Sequence, residues 1–126
     1  MYKRQEKEFA LDPKLIRFII INLLSNAFKY SPAGGKVKLK VSATEDEIQI
    51  SVSDEGIGIP KEDQAHIFKQ FFRSSNTGEI EGTGLGLSIV QRAVEMHKGT
   101  IKCFSKLNKG TRFLVKILRR NPLDKN

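Results

Sequence analysis

The sequence predicts an α/β fold: two layers, with a mixed but mostly antiparallel sheet covered on one face by three helices. Three observations lead there. Residues from Asp12 to Ser31 form one long apolar stretch, opened by Asp12–Pro13 and closed by Pro32. Two later segments, beginning at Lys61 and Leu85, place apolar residues at helical spacing. Around them lie runs in which apolar and polar residues alternate, the period of a half-buried strand.

Residues 1–10 are polar and read as an irregular entry with at most a short strand at Glu8–Leu11. The first helix takes Asp12 as N-cap and Pro13 as its first residue. It ends near Ser31, because Pro32 and Gly34–Gly35 cannot continue it. Val37, Leu39 and Val41, then Ile48, Ile50 and Val52, predict a hairpin with one apolar face around Thr44–Asp46. After the turn DEGIGIP, a second helix is expected over Lys61–Phe72 with Ile67, Phe68, Phe71 and Phe72 inward. Residues 73–83 are polar and patternless, as a mobile loop is. A third helix spans Leu85–His97 on the apolar set Leu87, Ile89, Val90, Ala93, Val94 and Met96. Strands at Thr100–Ser105 and Arg112–Leu118, joined at Leu107–Gly110, close the fold. The 126 residues read as a single domain with its core over about 8–118 and ragged ends at 1–7 and 119–126.

Composition narrows the function. Hydrophobic content of 39% and charged content of 29% are those of an ordinary globular protein. The one cysteine, Cys103, rules out a disulfide framework and a cysteine zinc site, and fits a reducing, cytoplasmic setting. No apolar run of 18 residues and no signal peptide occur, so direct membrane contact is not expected. The net charge of +8 could serve nucleic acid, an anionic surface or a polyanionic small ligand. The cations are scattered apart from Lys36–Lys40 and Arg119–Arg120. With no basic helical stripe and no aromatic ladder, nucleic acid is disfavoured, and most of the charge reads as solvated face.

The chemistry concentrates in three places. On the first helix, Asn22, Asn26, Lys29 and Tyr30 fall within about a 100° arc of one face. The surrounding residues are apolar almost all the way round, so two asparagines there are costly unless something pairs with them; backbone carbonyls are the plain alternative. The turn Asp54–Pro60 follows a strand. Gly56 and Gly58 permit close approach of a ligand, and Asp54 can accept from an exocyclic amine, although an ordinary tight turn has the same composition. It is not a calcium loop, since positions three and five are glycines and position twelve is Ala65. The segment Gly82–Ser88 (GTGLGLS) is neither a dinucleotide fingerprint nor a phosphate loop ending in lysine. Gly84, Leu85 and Gly86 lead straight into a helix, whose free N–H groups form an anion site.

Taken together, these segments resemble the ATP-binding catalytic domain of sensor histidine kinases. Asn22–Pro32 is similar to the N box, Asp54–Pro60 to the G1 box, Ile67–Arg73 to the F box and Gly82–Ser88 to the G2 box, in that order. The wider superfamily, with gyrase, a chaperone and a mismatch-repair ATPase, shares this Bergerat ATP-binding fold. The F box and the KYSP ending point to the histidine kinase branch, and anti-sigma-factor serine kinases match less well.

The resemblance implies ATP and Mg²⁺ as cofactors, with Asn26 on the metal and Asn22 on the metal or its water. It implies Lys29 and Arg73 at the phosphates, Tyr30 and Phe71 near the nucleoside, and Asp54 on the adenine amine. Gly56, Gly58 and Ile59 would line the base pocket, while Gly82, Thr83, Gly84, Leu85, Gly86 and Leu87 would close over the phosphates. ATP-hydrolysing relatives typically carry a glutamate where this chain has Asn22. Departures are Glu55, where asparagine is common, and Lys98, which interrupts the usual His-Gly-Gly. His97 is expected to be structural, and His66 to lie on the surface opposite the phenylalanines. No segment resembles a phosphoacceptor histidine motif. The chain is therefore expected to be one domain of a longer kinase, partnered by a dimerisation and phosphoacceptor domain and a response regulator. The alternative is a non-catalytic nucleotide-binding signalling module of the same fold.

Overall fold

In the computed structural model, the described residues are 13–31, 34–70, 72 and 86–118. Helix α1 (Pro13–Tyr30) comes first, followed by strands β1 (Val37–Ala43) and β2 (Glu47–Asp54). A 3-10 helix (Lys61–His66), helix α2 (Gly86–Met96) and strands β3 (Thr100–Lys106) and β4 (Gly110–Leu118) complete the order. The expected strand at Glu8–Leu11 and the loop 73–83 lie outside the described residues.

The four strands pair in the order β1-β2-β4-β3, antiparallel at each step. The register sets Leu39 beside Val52, Val52 beside Phe113 and Phe113 beside Cys103. Because side chains alternate, one face of the sheet gathers Ile50, Val52, Phe113, Val115 and Ile117, all buried. The helices lie across that face. Ile19, Leu23 and Ala27 of α1 and Val90, Ala93 and Val94 of α2 complete the core. This is the expected two-layer α/β sandwich.

Three details differ from the expectation. The helix foreseen over Lys61–Phe72 is a 3-10 helix of six residues, followed by turns through Gln70. None of its six residues is buried, so no apolar stripe exists to hold a longer α-helix there. The inward residues follow it: Ile67 is buried and Phe68 packs edge-on against Phe113 at 6.3 Å. Phe71 lies outside the described residues. His66, expected opposite the phenylalanines, is half-buried with its ring 5.8 Å from that of Phe72, because the chain turns back after Ile67. Lastly, α1 is not enclosed all round. Ile21 and Phe28 are 56% and 65% exposed, since a single helical layer over one sheet covers only part of each helix.

The end of α2 explains one departure from the family pattern. His97 is buried, with Nδ1 3.1 Å from the Ala93 carbonyl, and is structural as expected. Lys98 then takes φ 58°, the left-handed position that usually ends a helix on glycine. Its N–H donates to Glu95 and that of Gly99 to Val94, both at 3.0 Å, which closes the helix. A lysine there is strained, by about 1 kcal/mol or somewhat more. Lys98→Gly should therefore raise stability by about 0.5–1 kcal/mol after the greater freedom of unfolded glycine is subtracted. Urea denaturation checks this, and a loss of stability would contradict it.

Candidate functional site

Helix α1 supplies one wall. Asn22 and Asn26 are half-buried and flank the buried stripe of Ile19, Leu23 and Ala27. Asn22 Nδ2 donates to the Phe18 carbonyl one turn earlier, at 2.8 Å. That bond uses the donor end of the amide and turns Oδ1 away from its own helix. Oδ1 then faces the start of α2, 4.0 Å from where a Cβ on Gly86 would sit. Gly86 is the first described residue of α2, so the amide oxygen lies close to the first described turn of that helix. Leu87 is partly buried against the core and anchors that helix start. Lys29 is exposed, with its ammonium 5.8 Å from the Tyr30 ring centroid.

The loop after β2 lies against the C-terminal end of α1. Asp54 ends the strand half-buried, and its Oδ1 accepts the Gly56 N–H at 2.8 Å. Burial raises its carboxyl above the ordinary carboxylate value, opposed by the backbone N–H groups of Gly56 and Thr111. A half-buried carboxylate of this kind seeks a further donor, and an exocyclic amine is one. The loop itself is held at four points. Ile57 N–H donates to the Tyr30 carbonyl at 3.3 Å, and Asn108 N–H donates to the Ile57 carbonyl at 2.8 Å. Ile59 N–H donates to Ser105 Oγ at 2.8 Å, and Gln64 Nε2 donates to the Ile59 carbonyl at 2.9 Å. Gly56 and Gly58 are required by this grip. A Cβ on the first would strike the Tyr30 carbonyl and on the second the Lys106 carbonyl, and Gly58 has φ 75°.

Ser105 and Thr111 were not legible as site residues. Ser105 Oγ lies 3.1 Å from the Gly110 carbonyl and 2.8 Å from Thr111 Oγ1, besides accepting from Ile59. One proton and two lone pairs are thus all engaged. The buried Thr111 stands in register with Asp54. The sole signal for it in the sequence is Gly110–Thr111 opening the last strand; only the pairing of β2 with β4 brings it to the carboxylate. Glu55 turns outward, where its Oε1 accepts the Lys36 N–H at 3.2 Å. Cys103 sits partly buried with its thiol pushed up to about 11, first by burial and then by the charge of Asp54, so it is no nucleophile.

The described residues therefore bring Asn22 to Gly86, and Tyr30 to Gly56 and Ile57, while Asn26 and Lys29 share the α1 face with Asn22. Phe71, Arg73, Gly82, Thr83, Gly84 and Leu85 lie outside them. No group of three His, Cys, Asp or Glu suited to a metal occurs among the described residues. The oxygens on offer are the two asparagine amides. Mg²⁺ is commonly held by few protein oxygens together with water and substrate phosphates, so this donor set fits it, but only alongside a phosphate ligand.

The model of the histidine kinase-, DNA gyrase B- and HSP90-like ATPases matches residues 11–121. The chain belongs to that family. Within it, the relatives are sensor kinases. The adaptive-response sensory kinase SasA of Synechococcus sp. (strain JA-2-3B'a(2-13)) is 46% identical over 104 residues, which is 82% of this chain and 28% of SasA. A mycobacterial sensor histidine kinase, MprB, superposes with a TM-score of 0.79 at 30% identity, over 87% of this chain and 76% of that structure. Full-length ShkA, solved in complex with AMPPNP, gives a TM-score of 0.68 at 30% identity, over 82% of this chain and 21% of that structure. The chain is thus a histidine kinase-type ATPase domain that spans just over a quarter of the length of SasA. No described helix is long and apolar enough to cross a membrane.

In this ATPase domain the hydroxyl of Ser105 is one link, besides the Asn108–Ile57 bond, between the Asp54 loop and the β3–β4 hairpin. Ser105→Ala leaves the Ile59 N–H without its acceptor, which should cost about 1–3 kcal/mol. Hydrogen exchange at the Ile59 amide should accelerate ahead of amides in the centre of β4. Equal protection in both proteins would show that the loop is held without Ser105.

Proposed function

We propose that this domain binds Mg·ATP and presents the γ-phosphate for in-line transfer to a histidine on a separate dimerisation domain. The observation that carries this reading is the approach of Asn22 Oδ1 to Gly86 at the first described turn of α2, in a fold whose strand β2 ends in a half-buried carboxylate, Asp54. Amide oxygens suit a metal, a helix start suits phosphate, and the carboxylate suits the amine of adenine. A nucleotide carries both ends in one molecule.

The roles follow. Asp54 accepts from the adenine amine, while Gly56, Gly58 and Ile59 keep the backbone close to the base. Tyr30 lies against the nucleoside, together with Phe71. Asn26 and Asn22 would hold Mg²⁺, directly or through water, and the ion would supply positive charge beside the phosphates. Lys29, Arg73 and the stretch Gly82–Leu87 contact the phosphates, and Lys29 and Arg73 take up charge as the phosphoryl group moves. Such transfer relies on positioning and charge neutralisation rather than covalent chemistry by the protein. The phosphoacceptor domain, on the same or a sister chain, and a downstream response regulator are the partners this implies. The test is to add the chain to a separately made phosphoacceptor domain with labelled ATP. Phosphohistidine should form, and its absence at saturating Mg·ATP would favour a nucleotide-binding module without transfer.

Two predictions follow. Asn26→Ala removes an amide oxygen from the metal shell, so calorimetry should show Mg·ATP affinity falling by roughly tenfold or more. Unchanged affinity would refute Asn26 as a ligand. Asn22, an amide whose Nδ2 is bound to Phe18, has no proton affinity to activate water. The chain alone should therefore bind ATP and hydrolyse it far below the roughly 1 s⁻¹ of ordinary enzymes. Asn22→Glu should raise the rate where water can be seated. Fast steady turnover by the wild-type chain would sink the protection argument.

A further inference from the structure

The cations that look scattered in the sequence converge in the fold. The helix layer covers one side of the sheet, and strand alternation sends the other residues of β1, β3 and β4 to the opposite side. Lys38 and Lys40 of β1, Lys102 and Lys106 of β3, and Arg112 and Lys116 of β4 all occupy that outer face, and all are exposed. Its one acidic residue is Glu47, at the far end of β2, and Glu47 Oε2 already accepts from Gln49 Nε2 at 2.7 Å. None of the six cations has a carboxylate partner among the described residues. The six cations on three strands against one acidic residue make this face strongly positive.

The face also has a shape. The central strand β2 presents Ser51 and Ser53 outward, short side chains between long ones. In register, Lys38 and Arg112 flank Ser53, and Lys40 and Leu114 flank Ser51. The result is a trough of about 330 Å³, with Lys38 and Lys40 on one wall, Arg112 on the other, and serine hydroxyls along the floor. Arg112 is fixed in place: Nε donates to Ser51 Oγ at 3.2 Å, and its guanidinium lies 5.5 Å from the Phe104 ring centroid. Its remaining N–H groups are left for an anion, in the fork geometry that suits carboxylates.

We propose that this trough is a docking site for an extended acidic segment of a partner protein. Lys38 and Lys40 are two residues apart on a strand, so their side chains rise roughly 7 Å apart along the groove. An extended peptide with Asp or Glu at alternate positions presents carboxylates at that same spacing. Base-reading nucleic acid fits less well, because sheet faces that bind it stack two or three bases on aromatic rings. Here Phe104 is the one aromatic residue on the face, a single ring that Arg112 also contacts. An anionic membrane lacks the apolar wedge it would need, since Leu114 is recessed in the trough.

The experiment uses the whole chain and a fluorescein-labelled Glu-Ser alternating dodecapeptide, followed by anisotropy. The uncharged Gln-Ser peptide, single-stranded RNA and phosphatidylserine vesicles are run beside it. The acidic peptide should bind, and affinity should fall about tenfold or more in Lys40→Glu/Arg112→Glu. Lys61→Glu/Lys109→Glu makes the same change in net charge elsewhere and should lose at most about threefold. Circular dichroism and thermal midpoints confirm that both variants are folded, and Lys38→Gln/Lys40→Gln gives a milder second test of the trough. Equal losses in the two charge-reversal variants would reduce the effect to net charge and overturn the proposal. So would no peptide binding at low salt, or RNA or vesicles binding more tightly than the peptide through the same residues.

Discussion

The site depends on how α1 is buried. Its stripe of Ile19, Leu23 and Ala27 goes fully into the core, and Ile21 and Phe28 stay in solvent. Asn22 and Asn26 fall on the border between the two. A polar amide set deeper would need every hydrogen bond met inside the protein, and one set further out would keep its water shell. At the border the helix backbone takes one end of Asn22, and the other end remains for a ligand. Core packing thus sets the side of α1 on which the two asparagines lie, and the bond to Phe18 orients the Asn22 amide.

A second constraint acts on the loop after β2. It is gripped by main-chain and side-chain bonds from α1, the 3-10 helix, β3 and the β3–β4 turn. These elements come from distant parts of the sequence, and the loop closes only when the sheet is complete. The proposed nucleoside end of the site is therefore a product of tertiary structure. The proposed anion end is more local, a helix start near a helix side.

That division explains what was legible in the residues. The helices and strands were readable because each carries its own period, and their ends because Pro13, Pro32 and the glycines mark them. The segment after Pro60 misled because Ile67 and Phe68 suggested a helical stripe. Yet the six residues before them bury nothing, and propensity alone does not hold a helix. Asn22, Asn26, Asp54 and the glycines stood out as residue types that an apolar helix or a strand end does not need. Ser105 and Thr111 are ordinary strand residues on their own. Their importance lies in register, in Thr111 falling opposite Asp54 and Ser105 below Ile59, and register is a property of pairs. The basic outer face was hidden for the same reason: no single strand holds enough of it to form a cluster.

Cys103 lies within reach of the charge of Asp54, which adds to the effect of burial on its thiol. With the thiol pushed up to about 11, roughly one molecule in ten thousand carries a thiolate at neutral pH. Peroxides and disulfide-forming reagents act on that form, so the floor of the domain is nearly silent to them. Cys103 is therefore a poor point of entry for oxidants, whereas the exposed Met96 stays open to peroxide.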